Sequence, residues 1–340
     1  MTPQAIEVLS VGAQQSVGLR QFPQSMLGGD LPRRYRAPIV LAVSVAPAWS
    51  AERLGDLTGK RIIVTGATNG VGLGTATALA RAGADVILAV RNAELGRQRA
   101  AAMGGSTSVV ELDLADLASV RGFPERIDGD VDVLINNAGV VTQHREETVD
   151  GFEMMLATNM LGPFALTNLL LPRVRSQIIN VGSEAHRSAT LRLDDMHLRR
   201  RKWTPMGAYA RSKLAVMMWG LELDRRLRAA GSPVVAQLTH PGWVASNLSH
   251  VSDSPLMSLA HRTVKAAADR LANDIDEGAA PTLYCLSEPI PPGSYVGVSG
   301  RFGLRGGPVL TGRSVLACDY AAAADIVAFA ERETATALSV

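Results

Sequence analysis

Tyr209 and Lys213 stand four residues apart in the Ala-, Leu- and Met-rich stretch Gly207 to Ala230. Its composition predicts a helix, and the spacing puts both side chains on one face. A phenol beside an ammonium is an acid/base device. A free tyrosine, with a pKa of roughly 10, holds its proton too tightly to exchange it near neutrality. An ammonium about 4 Å from the phenolate, at an effective dielectric near 20, contributes roughly 4 kcal/mol, enough to bring the phenol near pH 7 before any cost of desolvation. The lysine is informative because Lys60, Lys202, Lys213 and Lys265 are the only lysines among 34 basic residues. A chain this rich in arginine still places a compact ammonium at 213 rather than a planar fork. The plainer alternative is a solvated helical pair.

A second group of residues indicates what such a device would work beside. The run RIIVT at Arg61 to Thr65 is followed by TGATNGVGLG, so that Gly66, Gly70, Gly72 and Gly74, with Thr68, Asn69 and Val71 between them, turn a strand into a helix. Glycines there allow a tight turn and let the helix N-terminus approach a pyrophosphate, whose charge the free N–H groups and helix dipole favour. This context makes the cluster a dinucleotide site. An acidic residue ending the second strand would favour NAD by bonding the ribose hydroxyls. The strand instead ends AVRN, with Arg91 at that position. A guanidinium pairs bidentately with a 2′-phosphate, so NADP is expected ahead of NAD unless Arg91 merely faces solvent. Asp113 and Leu114, in ELDLADL, lie where a carboxylate could meet the adenine amino group or cap the next helix.

The elements that must hold these residues are short Val/Ile-rich runs alternating with Ala/Leu/Arg-rich stretches, the pattern of βαβ units. Seven strands are expected: Arg61 to Thr65, Asp85 to Val90, Ser108 to Leu112, Val131 to Asn136, Gln177 to Val181, Val234 to His240 and a short one near Ser294 to Val298. Several are continuously apolar, as strands covered on both faces are. The longest helices are expected at Gly151 to Leu171 and Gly207 to Ala230. The fold class is therefore α/β: one doubly wound Rossmann domain over residues 51–340, with a mostly parallel seven-stranded sheet and helices on both faces. Residues 1–50 lack sustained periodicity and read as a poorly ordered N-terminal extension. Within it, Arg33 to Arg36 followed by APIVLAVSVAPAWSA imitates a secretory signal. Its apolar run is far short of the roughly 20 residues that span a bilayer, so membrane association is not expected.

Composition narrows the function classes. A formal net charge of +2 over 340 residues, with no basic stripe interleaved with aromatics, gives no footprint for nucleic acid. Cys285 and Cys318 show no CxxC spacing, which fits a reducing, cytoplasmic setting, and the six histidines show no metal-ligand spacing, so no metal is expected.

Together these motifs resemble the short-chain dehydrogenase/reductase family. Its TGxxxGxG motif appears as Thr65-Gly66 to Gly72, NNAG as Asn136 to Gly139, YxxxK as Tyr209 to Lys213, and the PG after the sixth strand as Pro241-Gly242. DLTGKRIIVTGATNG, TVDGFEMMLATNMLGPF, the long segment between Ser183 and Tyr209, and DYAAAADIVAFAERETA look like the retinol-dehydrogenase-like branch, which includes the WW-domain oxidoreductases. The resemblance implies hydride transfer between a nicotinamide and a carbonyl or alcohol, with Asn159, Ser183, Tyr209 and Lys213 as the catalytic set. Ser183 would orient the substrate oxygen, Lys213 would also hold the nicotinamide ribose, and Asn159 would hold a proton-relay water. Asn137, Ala138 and Gly139 would line the adenosine side, while Pro241, Gly242, Val244 and Ser246 would touch the carboxamide and pyrophosphate.

Departures from the family pattern are small: Gly182-Ser183 replaces a common Ser-Ser, Ser246 a threonine, and Pro163 a common histidine. Because proline lacks an N–H, Pro163 would leave the Asn159 carbonyl open to the relay water; a plain kink is the alternative. Segments 183–209 and 246–273 flank the cleft as lids. Trp203, Met206, Trp243, Leu248 and Leu256 either form an apolar cover for a lipophilic substrate or pack on themselves. Arg199 to Lys202 reads as a solvated helix end. Family habit suggests a homo-oligomer through the two long helices. The competing readings are a cofactor sensor without catalysis and a nucleotide-sugar epimerase or dehydratase, the latter disfavoured by the glycine spacing.

Overall fold

Strands whose side chains are apolar on both faces need a helical layer on each side, and that requirement dictates the architecture. In a computed structural model describing residues 49–244, 273–300 and 303–340, eight strands form one sheet. They are β1 Arg61–Thr65, β2 Asp85–Val90, β3 Ser106–Glu111, β4 Val131–Asn136, β5 Val174–Val181, β6 Val235–Thr239, β7 Tyr295–Val298 and β8 Pro308–Leu310. Their order is β3-β2-β1-β4-β5-β6-β7-β8. All pairs from β1 to β7 are parallel, and β8 runs antiparallel on β7. The sheet thus has one strand more than the seven expected. β8 is three residues long and follows Gly306-Gly307, too brief for any alternation to register.

Alternate side chains enter opposite cores, following the period of two. Ile63, Ile87, Leu134 and Ile178 point into one, and Ile62, Val64, Val86, Leu88, Ile135 and Ile179 into the other. The second core is closed by α1 (Gly70–Arg81), α2 (Ala93–Met103) and α7 (Ile275–Ser287). The first is closed by α3 (Leu117–Arg121), α5 (Gly162–Leu170), α6 (Pro205–Ala229) and α8 (Tyr320–Thr334), where Trp219 of α6 meets Phe164 of α5 edge-on at 5.7 Å. The strand order reverses between β1 and β4, so a crevice opens at their carboxyl ends.

The helix expected from Gly151 to Leu171 is instead three pieces: the single turn α4 (Met154–Leu156), a π-helical turn Ala157–Leu161, and α5. Gly151 and Phe152 stay in a loop, with Phe152 accepting from the Thr148 N–H at 2.9 Å. The wide turn coincides with Pro163, which has no N–H to offer Asn159 four residues earlier; the Gly162 N–H bonds Ala157 five residues back. The stretch Met154–Arg173 is long and apolar enough to cross a membrane, yet 83% of it is buried in this core. Helix α6 starts at Pro205 rather than Gly207 because Thr204 caps it, accepting from the Gly207 N–H at 3.2 Å, with proline at the first helical position. Finally, α8 lies across α6 with Ile326, Val327 and Ala330 fully buried. It covers with the chain's own residues part of the face through which a homo-oligomer of long helices was expected.

Candidate active site

The glycine turn after β1 is built for a close approach. Gly66 and Gly70 have φ of +68° and +52°, conformations that L side chains rarely adopt. A Cβ at Gly72 would collide with the carbonyl oxygen of Gly66 and Nδ2 of Asn137. The Asn69 side chain caps no N–H of α1, so the helix end keeps donors for an anion. These features fit a dinucleotide pyrophosphate. The turn is braced by Thr65, fully buried, whose hydroxyl accepts from the N–H groups of Asn137 and Ala138 at 3.0 Å each. The Asn137 amide returns the contact, donating to the Thr65 carbonyl at 2.8 Å. Asn137 therefore staples β4 to the turn with its side chain. Arg99, which the sequence pattern did not single out, donates from Nε to the Thr68 carbonyl at 3.2 Å. We expect Gly72→Ala to weaken NADPH binding by at least about tenfold in a fluorescence titration and to cost about 1–3 kcal/mol of stability, since both the Gly66 backbone and the Asn137 amide that braces the turn must shift. Unchanged binding would remove this turn from the site.

Arg91 lies exposed just beyond β2, beside the turn, since the Gly66 N–H donates to Ala89 at 2.9 Å. Among the described residues it makes no salt bridge. Asp113 does not cap the next helix: its carboxylate accepts from the Ala115 N–H at 2.9 Å in the preceding loop, and Asp116 caps α3, accepting from the Ala118 N–H at 2.8 Å. Leu114 is buried, and its carbonyl leaves no room for a side chain at Gly162. Val244 packs beside Val71 over Gly278. Gly242, with φ +70°, turns the chain after Pro241. Ser246, Leu248, Leu256 and the 1–48 part of the extension lie outside the described residues.

Asn159, Ser183, Tyr209 and Lys213 converge at the carboxyl ends of β4 and β5. Asn159 accepts from the Val140 N–H at 2.7 Å and donates to the Ser212 hydroxyl at 2.9 Å, which in turn donates to the Tyr209 carbonyl at 2.8 Å. The amide thus ties the loop after β4 to α6, and Ser212 is a member that the YxxxK spacing does not reveal. Lys213, 4% exposed, donates to the Val181 carbonyl at 2.8 Å. Gly139 sits against both groups: a Cβ there would lie 3.3 Å from Asn159 Oδ1 and 3.5 Å from Lys213 Nζ.

The electrostatics correct one expectation. Burial raises the Tyr209 pKa above its ordinary value, and the facing Ser183 hydroxyl offsets only part of that rise. The lysine Nζ lies 5.9 Å from the Tyr209 ring centroid and donates to the Val181 carbonyl. Burial also brings the Lys213 pKa down to about 8. Desolvation outweighs the attraction that helical spacing alone would give.

An apolar wall adjoins the phenol. Tyr209 packs with Val140, Val141 and Trp203 around Met155, Leu198 and Ala208. Trp203 is anchored, donating from Nε1 to the buried Glu153 at 3.2 Å. Met206 and Trp243 are 58% and 52% exposed. Of the expected cover residues, then, Trp203 is packed and these two face outward.

The short chain dehydrogenase family model matches residues 60–255, a span that contains the glycine turn and all four converging residues. The chain belongs to the short-chain dehydrogenase family. It falls in the retinol-dehydrogenase-like branch: it is 38% identical to the mouse (Mus musculus) polyprenol dehydrogenase over 261 residues, 72% of this chain and 75% of that protein. It is 42% identical to human (Homo sapiens) retinol dehydrogenase 13 over 204 residues, 56% of this chain and 61% of that one. A crystal structure of an uncharacterised protein from Mycobacterium paratuberculosis superposes with a TM-score of 0.74 at 41% identity, covering 86% of this chain and all of that one. A structure of an NAD(P)-dependent gluconate 5-dehydrogenase from Beutenbergia cavernae, with bound NADP, matches at 25% identity and a TM-score of 0.53, over 67% of this chain and 90% of that one. The protein is thus an oxidoreductase of this family, for which a nicotinamide cofactor is the supported partner.

Proposed function

We propose that this dehydrogenase transfers a hydride between NADP(H) and a lipophilic alcohol, aldehyde or ketone, with Tyr209 exchanging the proton. The observation that carries the reading is the half-buried phenol between the Ser183 hydroxyl and an apolar wall, within one helical turn of a buried lysine. When bound, the cofactor supplies the hydride donor or acceptor. Gly66, Thr68, Asn69, Gly70, Val71 and Gly72 would hold its pyrophosphate, and Asn137, Ala138 and Gly139 its adenosine side. Asp113 and Leu114 border the adenine end, with Pro241, Gly242, Val244 and Ser246 at the nicotinamide end. Arg91, exposed at the end of β2, supports NADP over NAD through its fork for a 2′-phosphate.

The chain's own groups divide the work. Ser183 orients the substrate oxygen toward the phenol. Tyr209, held protonated by burial, donates to the developing alkoxide in the reducing direction. Lys213 replenishes that proton from a pKa of about 8, close enough to neutrality to exchange. Pro163, which has no N–H to give, would leave the Asn159 carbonyl available to a relay water. The homo-oligomer of the family habit would use a surface other than the one α8 occupies. Free Cys285 and Cys318 suit a reducing, cytoplasmic setting.

A homologous series of aldehydes and ketones, assayed by NADPH oxidation, tests the reading. Each added methylene should raise kcat/KM by up to about fourfold while the chain is being buried. Arg91→Ala should narrow the preference for NADPH over NADH. A flat series, or faster turnover of short charged carbonyls, would dismiss the lipophilic substrate.

A further inference from the structure

Behind Ser183 lies a polar cluster that the chemistry above does not use. Glu184, the next residue, accepts from the Tyr295 hydroxyl of β7 at 3.1 Å, and the same oxygen lies 3.5 Å from Nε2 of His240 at the end of β6. His240 accepts from the Gly242 N–H on Nδ1 at 3.2 Å, so its proton sits on Nε2, facing the carboxylate. The Tyr295 ring stands 5.4 Å from the His240 ring and 5.9 Å from that of His186. His186 accepts from the Ser314 N–H on Nε2 at 3.1 Å and donates from Nδ1 to the Ser183 carbonyl at 2.7 Å. His186, His240 and Tyr295 are 1%, 2% and 3% exposed. Packing is close on every side: a Cβ at Gly297 would collide with the His240 ring, and one at Gly303 would lie 3.0 Å from Glu184 Cγ and 3.2 Å from His240 Cε1. The free Glu184 oxygen pairs with Arg187, which also donates to the Gly312 carbonyl.

Two segments of the candidate site meet through this cluster. One is the turn carrying Ser183. The other is Pro241-Gly242, whose backbone is set by His240. Neither touches the other through a side chain of the proposed catalytic set.

We propose that Glu184 is a positioning residue. Through His240 and Tyr295 it fixes the Ser183 hydroxyl relative to the Pro241-Gly242 turn, and so sets the gap that receives the nicotinamide and the substrate oxygen. This rests on the hydride-transfer reading above. An ionised carboxylate suits the role, because it accepts from Tyr295 and Arg187 at once while facing His240 Nε2 at 3.5 Å. Displacing either wall by a fraction of an ångström would misplace the reacting atoms.

Glu184→Ala, Glu184→Gln and Tyr295→Phe test the assignment by NADPH affinity without substrate, steady-state kinetics and thermal melting. In Glu184→Ala the NADPH Kd should rise about tenfold and kcat fall about tenfold, with substrate KM moving less than about threefold. Glu184→Gln keeps an acceptor for Tyr295 and His240 and should bring both values back to within about threefold of wild type. Tyr295→Phe retains the ring, so it reports even if the alanine variant fails to fold, and it should shift Kd and kcat in the same direction by about threefold. Variants that lose only melting temperature, with Kd and kcat unchanged, would overturn the proposal while leaving the hydride-transfer reading intact. A changed NADPH Kd in a protein that turns over no carbonyl would overturn that reading and keep the strut.

Discussion

Tyr209→Phe should lower kcat by roughly 10²- to 10⁴-fold while leaving NADPH binding and melting temperature close to wild type. The phenol hydroxyl is the only group removed, and the ring keeps its place against the cluster of Met155, Leu198 and Ala208. Burial favours the neutral phenol, with Ser183 as the facing hydroxyl, so the variant loses a proton donor rather than a structural charge. In the reducing direction the alkoxide would then have to draw its proton from water, which accounts for the size of the loss. The oxidising direction should suffer as well, because there the deprotonated phenol is the base that takes the proton of the alcohol. Turnover of a lipophilic carbonyl at wild-type rates by this variant would end the assignment of Tyr209. A parallel loss of NADPH affinity would show instead that the ring's packing had been disturbed.

Much of the architecture was legible because the physics that makes it is local. Runs such as RIIVT and DVILAV are apolar at consecutive positions, which only a strand covered on both faces can use, and both appear as β1 and β2 with the expected bounds. The glycine turn, Tyr209 and Lys213 could be placed from spacing alone. What stayed hidden depends on contacts distant in sequence. The Thr65 and Ser212 hydroxyls act by bonding backbone that folding alone brings near, and a threonine or serine in a chain carries no sign of that duty. The motif marks Asn137 for a backbone contact with the cofactor, but it carries no sign that the side-chain amide donates to the Thr65 carbonyl. The break at Ala157–Leu161 was partly visible in Pro163, but not the choice of a π turn, because Gly162 must also pass the Leu114 carbonyl. The Tyr209 pKa went the wrong way for the same reason. Helical spacing gives the separation of two residues along an axis, not how dry their surroundings are or which carbonyl claims the ammonium.

Dryness around Lys213 leads to the second large effect. Lys213→Met should abolish most turnover and yet make the fold more stable at neutral pH. The lysine pKa falls from 10.5 to about 8 on burial, so folding expels a proton that the unfolded chain keeps. With more protons bound in the unfolded state between these values, stability rises with pH across that window, and below pH 8 the full burden is present. The shift of 10.5 − 8 = 2.5, at 1.36 kcal/mol each, makes that burden about 3 kcal/mol. Methionine removes it but leaves the Val181 carbonyl without its 2.8 Å donor. That loss costs about 1–3 kcal/mol, so the net gain near pH 7 is on the order of 1–2 kcal/mol. Near pH 10.5 the wild-type lysine is neutral in the fold and half neutral in the unfolded chain, so little of the burden remains and the variant should become the less stable protein. Denaturant melts of the two proteins should therefore cross between pH 8 and 10.5. Parallel curves across that range would mean that Lys213 remains fully charged in the fold, and the proton supply proposed for Tyr209 would need another source. A crossing, together with a kcat reduced by about 10²-fold or more, would show that the chain accepts a destabilising buried amine where its chemistry requires one.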